Sequence, residues 1–265
     1  MAAIRIGFCF GAEVLSLPEY SAPFRSIDLL IFPELVHGGY AALAKGVAHA
    51  IGDPTLENFK AASKHYSLCC IAGSTRVVDT RGRSTNTSFA FSKGRLVHRY
   101  DKIHLFRPAG DDRYFSPGAR MSTFVFLAHR RRVRAGVVIC YDLRFPELMR
   151  GMALQGIDIL CVPARWPAAR DDAWRALLKA RAIENQIFVA GCNATDEEGG
   201  YSYLFGPTGE QLFTNRNATD SRLHAVAIDL GQIRTAHKLH NNLADAVFLR
   251  NTRMPRRLTP PGRRH

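Results

Sequence analysis

Ala135-Gly136-Val137-Val138-Ile139-Cys140-Tyr141-Asp142-Leu143-Arg144-Phe145-Pro146-Glu147-Leu148 changes character in mid-course. Its first five residues are apolar and partly β-branched, which reads as a short buried strand. After Cys140 the chain turns, and Pro146 sits where the first turn of a helix tolerates a residue without an N–H. A strand that passes through a sharp corner into a helix is a building unit of α/β folds, and this one presents Cys140 at the open end of a sheet. The unpaired N–H groups and positive dipole end of the following helix favour a thiolate there. A cysteine at such a place is most often a small core residue, so other segments have to decide its role.

Outward from this corner, short β-rich runs alternate with helical stretches. Strands are expected near 4–10, 28–33, 67–73, 86–92, 95–101, 122–127, 134–139, 157–162, 187–193, 202–206, 211–214 and 223–229. Helices are expected near 54–66, 145–155 and 171–185. Asp53 and Pro54 start the first of these, while Asp171 and Asp172 give the third an acidic first turn. Trp174, Leu177, Leu178 and Ile183 put a broad apolar face on that third helix. Many short strands with few helices point to an α/β fold of four layers, an α-β-β-α sandwich of two stacked sheets with outer helices. The 265 residues suit one such domain, with no internal repeat and no linker.

Composition narrows the function. The chain is 46% hydrophobic and 22% charged, ordinary for a globular protein. No apolar stretch approaches the roughly 18 residues that span a bilayer, and Met1 to Phe10 reads as a first strand rather than a signal peptide. A cytoplasmic location without a membrane partner is expected. Six cysteines, at 9, 69, 70, 140, 161 and 192, form no C-x-x-C pair. Five of them read as reduced, buried thiols. The histidines show no ligand spacing, so neither a metal nor another cofactor is expected. The net charge of +13 invites a nucleic-acid partner. The excess is dispersed, however, apart from Arg130-Arg131-Arg132, which reads as a hairpin turn, and a Pro/Arg-rich end from Arg253 to Arg264. No nucleic-acid motif accompanies either, and no specific nucleic-acid binding is expected.

Two other segments change the weight of Cys140. Ile27-Asp28-Leu29-Leu30-Ile31-Phe32-Pro33-Glu34-Leu35 delivers a carboxylate to a strand end, just before the bend His37-Gly38-Gly39-Tyr40. Arg99-Tyr100-Asp101-Lys102-Ile103-His104-Leu105-Phe106 places a lysine in, or at the exit of, a half-apolar strand. Phe32-Pro33-Glu34, Tyr100 to Phe106 and Cys140 to Glu147, in the order Glu, Lys, Cys, resemble the nitrilase (carbon–nitrogen hydrolase) superfamily. The resemblance runs to about residue 250, leaving 251–265 as a basic Pro/Arg-rich tail. It implies the same α-β-β-α sandwich and hydrolysis of a non-peptide amide through a thioester. Cys140 would attack the carbonyl carbon, Lys102 and the backbone N–H of Tyr141 would hold the oxyanion, and Glu34 would carry protons.

The resemblance reaches further. Trp174 to Gln186 is similar to a family helix in which Arg-Ala-x-Glu-Asn recurs and whose side of the fold commonly meets a second subunit. A homodimer or higher homo-oligomer is therefore implied, with Arg181 and Glu184 as structural partners. Asp142 to Glu147 and Ala164-Arg165-Trp166-Pro167 look most like the ω-amidase branch. Its members release ammonia from the terminal amide of 2-oxo dicarboxylic acid monoamides. Arg144 and Arg165 would then suit an anionic substrate and Trp166 would wall its pocket. Capping for the arginines and core packing for the tryptophan stand beside those roles.

Three departures qualify the likeness. Where members carry a second glutamate that orients substrate and lysine, this chain offers Asp111, one methylene shorter. The segment before Glu34 is short, so the first outer helix is expected to be truncated, and His37-Gly38-Gly39-Tyr40 replaces the usual bend. A Cys-His hydrolase using His104 or His37 is a rival reading. Other amidase branches, acting on deaminated peptide amides or N-carbamoyl amines, and a non-catalytic binding member of the family also remain open.

Overall fold

Near-continuous apolar strands need cover on both faces, and the fold supplies it. The structure, a computed structural model, describes residues 3–16, 18–50, 53–217 and 222–246. The chain runs through β1 (Ile4–Cys9), β2 (Leu29–Ile31), β3 (Cys69–Ile71), β4 (Thr75–Val78), β5 (Ser84–Ser92) and β6 (Arg95–Asp101). It continues through β7 (Thr123–Ala128), β8 (Arg131–Val137), β9 (Ile159–Ala164), β10 (Phe188–Asn193), β11 (Tyr203–Phe205), β12 (Gln211–Thr214) and β13 (Leu223–Ile228). One sheet has the order β13-β1-β2-β3-β5-β4, with β6 on the other edge of β5. The second has the order β12-β11-β10-β9-β8-β7. In each, a parallel trio, β1-β2-β3 or β8-β9-β10, forms the centre.

The sheets stack through one apolar layer that includes Ile6, Phe8, Leu29 and Ile71 from the first and Val137, Ile159, Phe188 and Leu204 from the second. Helices are α1 (Ser21–Phe24), α2 (Gly39–Ala44), α3 (Pro54–His65), α4 (Asp111–Tyr114), α5 (Pro146–Leu154), α6 (Asp171–Asn185) and α7 (Gly231–Leu239). Helix α3 starts on Asp53, whose carboxylate accepts the Thr55 N–H at 2.8 Å. It lays Leu56 and Phe59 on the outer face of the first sheet. Helices α5 and α6 cover the second sheet with Met149, Met152, Trp174 and Leu178. The indole N–H of the fully buried Trp174 donates to the Tyr201 carbonyl at 2.8 Å, so burial leaves no orphan donor. This is the expected four-layer sandwich.

Some local expectations shift. Strand β8 starts at Arg131 rather than 134, because Arg132 and Arg134 point outward while Val133 and Ala135 point in. Only His129 and Arg130 make the turn, both left-handed at φ 46° and 65°, the twist that a two-residue hairpin needs. Ile183, read as part of the apolar face of α6, is 41% exposed, and Arg181 and Asn185 are buried instead. Between β1 and β2 stand two short 3₁₀ turns and the four-residue α1, as the shortened segment suggested. Among the described residues no helix is long and apolar enough to cross a membrane. The basic tail of 251–265 lies outside the described residues.

Candidate functional site

Four strand exits meet at one end of the sandwich. Glu34 follows β2 and Lys102 follows β6 in the first sheet, while Cys140 follows β8 and Arg165 follows β9 in the second. Ligand sites of open α/β sheets lie beyond strand carboxyl ends for this reason: the backbone leaves the ladder there and frees side chains to converge.

The Lys102 ammonium is buried and donates to Glu34 Oε1 and Asp111 Oδ2, both at 2.8 Å. One lysine cannot neutralise two buried carboxylates, so polar donors carry the excess. Glu34 also accepts from Asn86 Nδ2 at 2.8 Å and from the Arg165 N–H at 3.1 Å. Asp111 accepts from the Tyr40 hydroxyl at 2.8 Å and the Phe106 N–H at 2.9 Å. Burial would drive the Lys102 pKa down, but Glu34, Cys140 and Asp111 outweigh it and hold the ammonium well above its usual range. Two of its three protons are bonded, which leaves one for a substrate oxygen.

Cys140 is 7% exposed and takes the left-handed conformation at φ 47°, which costs a residue with a Cβ about 1–2 kcal/mol. Asp142 holds that corner. Its Oδ2 accepts from the Ile139 N–H at 3.0 Å and the Tyr100 hydroxyl at 2.8 Å. Its Oδ1 accepts from the His104 N–H at 2.8 Å and lies 2.8 Å from His104 Nδ1. Arg181 clamps the Leu143 carbonyl through Nε at 3.1 Å and Nη2 at 2.9 Å. Burial and the Glu34 carboxylate push the Cys140 thiol well up in pKa, and Lys102 offsets this only in part. The helix terminus expected to favour a thiolate is outweighed here by desolvation and the facing Glu34 carboxylate.

Above this cluster opens a narrow cleft whose walls include Phe106, Cys140, Tyr141, Arg144, Arg165, Trp166 and Arg170. Four residues expected at the substrate, Tyr141, Arg144, Arg165 and Trp166, line it. Asp111 does not: it is fully buried, against Lys102 and Tyr40. Arg165 lines the cleft but is held by carboxylates, with Nη1 on Asp196 at 2.7 Å and Glu198 at 3.0 Å. Its carboxylate partners leave it no vacancy for a substrate acid. Trp166 takes both readings offered for it, as a cleft wall packed on Trp174 with ring centroids 5.2 Å apart. His104 stacks on Phe145 and faces Asp142, and His37 meets Phe59 edge-on and His49 at a tilt, so both imidazoles are engaged with groups other than Cys140.

Sequence reasoning passed over Asn86, Tyr40, Arg170, Asp196 and Glu198. A polar residue in a buried strand was the available signal for Asn86. Gly73 adds a steric support: at φ +60° its missing Cβ would collide with the Pro33 carbonyl, immediately before Glu34. Gly73→Ala is expected to destabilise the fold by at least about 1–2 kcal/mol from backbone strain alone. Displacement of Glu34 should lower activity as well, and thermal melts with initial rates check both. Among the described residues no group of three or more His, Cys, Asp or Glu is arranged to hold a metal ion.

Comparison with known proteins follows the geometry. The carbon-nitrogen hydrolase family model matches residues 3–238. A 2-oxoglutaramate amidase of Bacillus subtilis (strain 168) is 35% identical over 194 residues, covering 71% of this chain and 73% of that one. Omega-amidase YafV of Escherichia coli (strain K12) is 36% identical over 194 residues, covering 71% and 72%. Among solved structures, XC1258 from Xanthomonas campestris, a CN-hydrolase superfamily protein with an arsenic adduct in its active site, superposes with a TM-score of 0.78. It is 24% identical, over 92% of this chain and 97% of that one, a likeness of fold.

Proposed function

The chain belongs to the carbon–nitrogen hydrolase family, and on that footing we propose that it is an ω-amidase, hydrolysing the terminal amide of short 2-oxo dicarboxylic acid monoamides through a Glu34-Lys102-Cys140 triad. The observation that carries the reading is the meeting of a buried carboxylate, a buried ammonium and a thiol beneath a cleft that bears Arg144.

Cys140 Sγ attacks the amide carbon while its proton passes to Glu34. The oxyanion that forms is held by the remaining Lys102 proton and the Tyr141 N–H, each such donor being worth about 3–4 kcal/mol of barrier. Glu34 returns the proton to the departing nitrogen, ammonia leaves, and a thioester remains on Cys140. Glu34 then takes a proton from water, whose oxygen attacks the thioester, and collapse releases the acid and the thiol. Asp111 and Tyr40 keep the ammonium in place throughout. Arg144 lies over the Trp166 ring at 4.9 Å and presents a guanidinium to the substrate's carboxylate.

As further parts of the same reading, the enzyme is cytoplasmic and works as a homodimer, with Ile183 on α6 among the apolar surface a second copy would cover. The test is ammonia release from 2-oxoglutaramate and 2-oxosuccinamate, alongside a panel of neutral and N-carbamoyl amides. Turnover of the two 2-oxo acids above a Cys140→Ala control is expected. Rates equal to that control on every substrate would end the proposal, and faster turnover of the neutral amides would move it to another branch.

A further inference from the structure

Arg144 is not the only guanidinium without a partner in the cleft. Arg170 also lines it, 5.7 Å from the centroid of the Phe106 ring. Both arginines are exposed, and among the described residues neither side chain has a carboxylate or other acceptor. Elsewhere around the site arginines are neutralised: Arg165 by Asp196 and Glu198, Arg181 by Glu184 and the Leu143 carbonyl. The cleft therefore keeps two uncompensated positive charges, each resting on a different aromatic wall. An aromatic face attracts a guanidinium by about 0.5–1 kcal/mol at an exposed site while leaving its in-plane N–H fork open to an oxyanion.

The backbone fixes Arg170. Its N–H bonds the Pro167 carbonyl at 2.9 Å, and its own carbonyl accepts the Trp166 indole N–H at 3.0 Å. Residue 170 thus also positions the wall on which Arg144 rests. One guanidinium rests on the tryptophan and the backbone that carries the other is bonded to its indole, so both arms start from one fixed wall, which lowers the ordering cost of gripping an anion.

We infer that Arg170 is a specificity-determining residue, the second arm of a two-arginine clamp that selects amides carrying an acid group at the end remote from the scissile bond. The inference rests on the amidase reading for its reaction. With Arg144 on one face of the carboxylate, Arg170 is free to bond its other oxygen or an adjacent oxo group. Neutral amides of equal length gain nothing from either arm.

Two measurements separate this inference from the reaction itself. In catalysis, Arg170→Ala is expected to raise KM for 2-oxoglutaramate about tenfold, the effect of one charged hydrogen bond, with kcat little changed and kcat/KM for pentanamide held within about twofold. Alanine retains the backbone carbonyl that holds Trp166, and Arg170→Lys should recover part of the loss. Equal losses on both substrates would mean that residue 170 only shapes the turn, and would overturn the clamp. In binding, calorimetry with 2-oxoglutarate and the Cys140→Ala chain needs no turnover. Adding Arg170→Ala should weaken binding about tenfold, and an unchanged Kd would overturn the inference even if wild type proved to be an amidase. Should wild type show no amidase activity yet bind 2-oxoglutarate through Arg170, the clamp stands and the reaction is what fails.

Discussion

A chain carrying Cys140→Ala should release ammonia at no more than about one ten-thousandth of the wild-type rate, the scale seen when a covalent nucleophile is removed, while its thermal melt stays close to wild type. The substitution deletes one buried sulfur that faces Glu34 and makes a long contact, 3.7 Å, to the Arg165 carbonyl. Alanine meets the same left-handed backbone, and the Asp142 and Arg181 bonds that hold the corner run through other atoms. Structure and chemistry should therefore separate cleanly. Quenched mass spectrometry adds a direct readout: an acyl adduct on the wild-type peptide containing Cys140 and none on the variant. A variant retaining a rate within about tenfold of wild type would place the nucleophile elsewhere.

Lys102→Met is expected to fail in both respects. It leaves Glu34 and Asp111 facing each other in a buried site with no cation between them, and removing one partner of a buried ion pair costs about 3–5 kcal/mol. It also removes an oxyanion donor, a loss of about 100- to 1,000-fold in kcat. A second substitution distinguishes the effects. Lys102→Met with Asp111→Asn removes one of the two stranded charges and should recover much of the stability in urea unfolding, yet none of the rate. Recovery of the rate would show that the ammonium acts only as a counter-ion, and unchanged stability in the single variant would show that the carboxylates do not need it.

The proposed reacting groups stood out in the sequence because Glu34 and Cys140 end apolar strands and Lys102 follows a half-apolar one, where a charged or nucleophilic side chain is conspicuous. Their tethers were not. Asn86 reaches Glu34 across 52 positions and Tyr40 reaches Asp111 across 71, and no local pattern encodes such a meeting. Asp111 illustrates the limit: its place after the lysine segment suggested a residue orienting both substrate and lysine, and of those two the fold turns its carboxylate inward to the ammonium alone. Strand β4 escaped notice because its four residues include Arg76 and follow β3 closely. Helix α7 escaped because its apolar face is small: Ala236 is buried and Ile233 only half-buried against the core. Conversely, α6 was found with its full extent because acidic residues open it and large apolar ones recur at helical spacing.

The two sheets are stitched together at the reaction centre itself. Glu34, from one, accepts the Arg165 N–H of the other on its carboxylate, and its backbone carbonyl takes Arg165 Nε at 3.0 Å. Glu34 and Cys140, the proposed base and nucleophile, thus ride on opposite plates, aligned by whatever keeps those plates from sliding. A methyl group trimmed from the layer between them, far from any reacting atom, can let the plates slip by a fraction of an ångström and blunt turnover while the molecule still melts normally. For this protein, catalytic rate is a finer gauge of interior packing than heat resistance is.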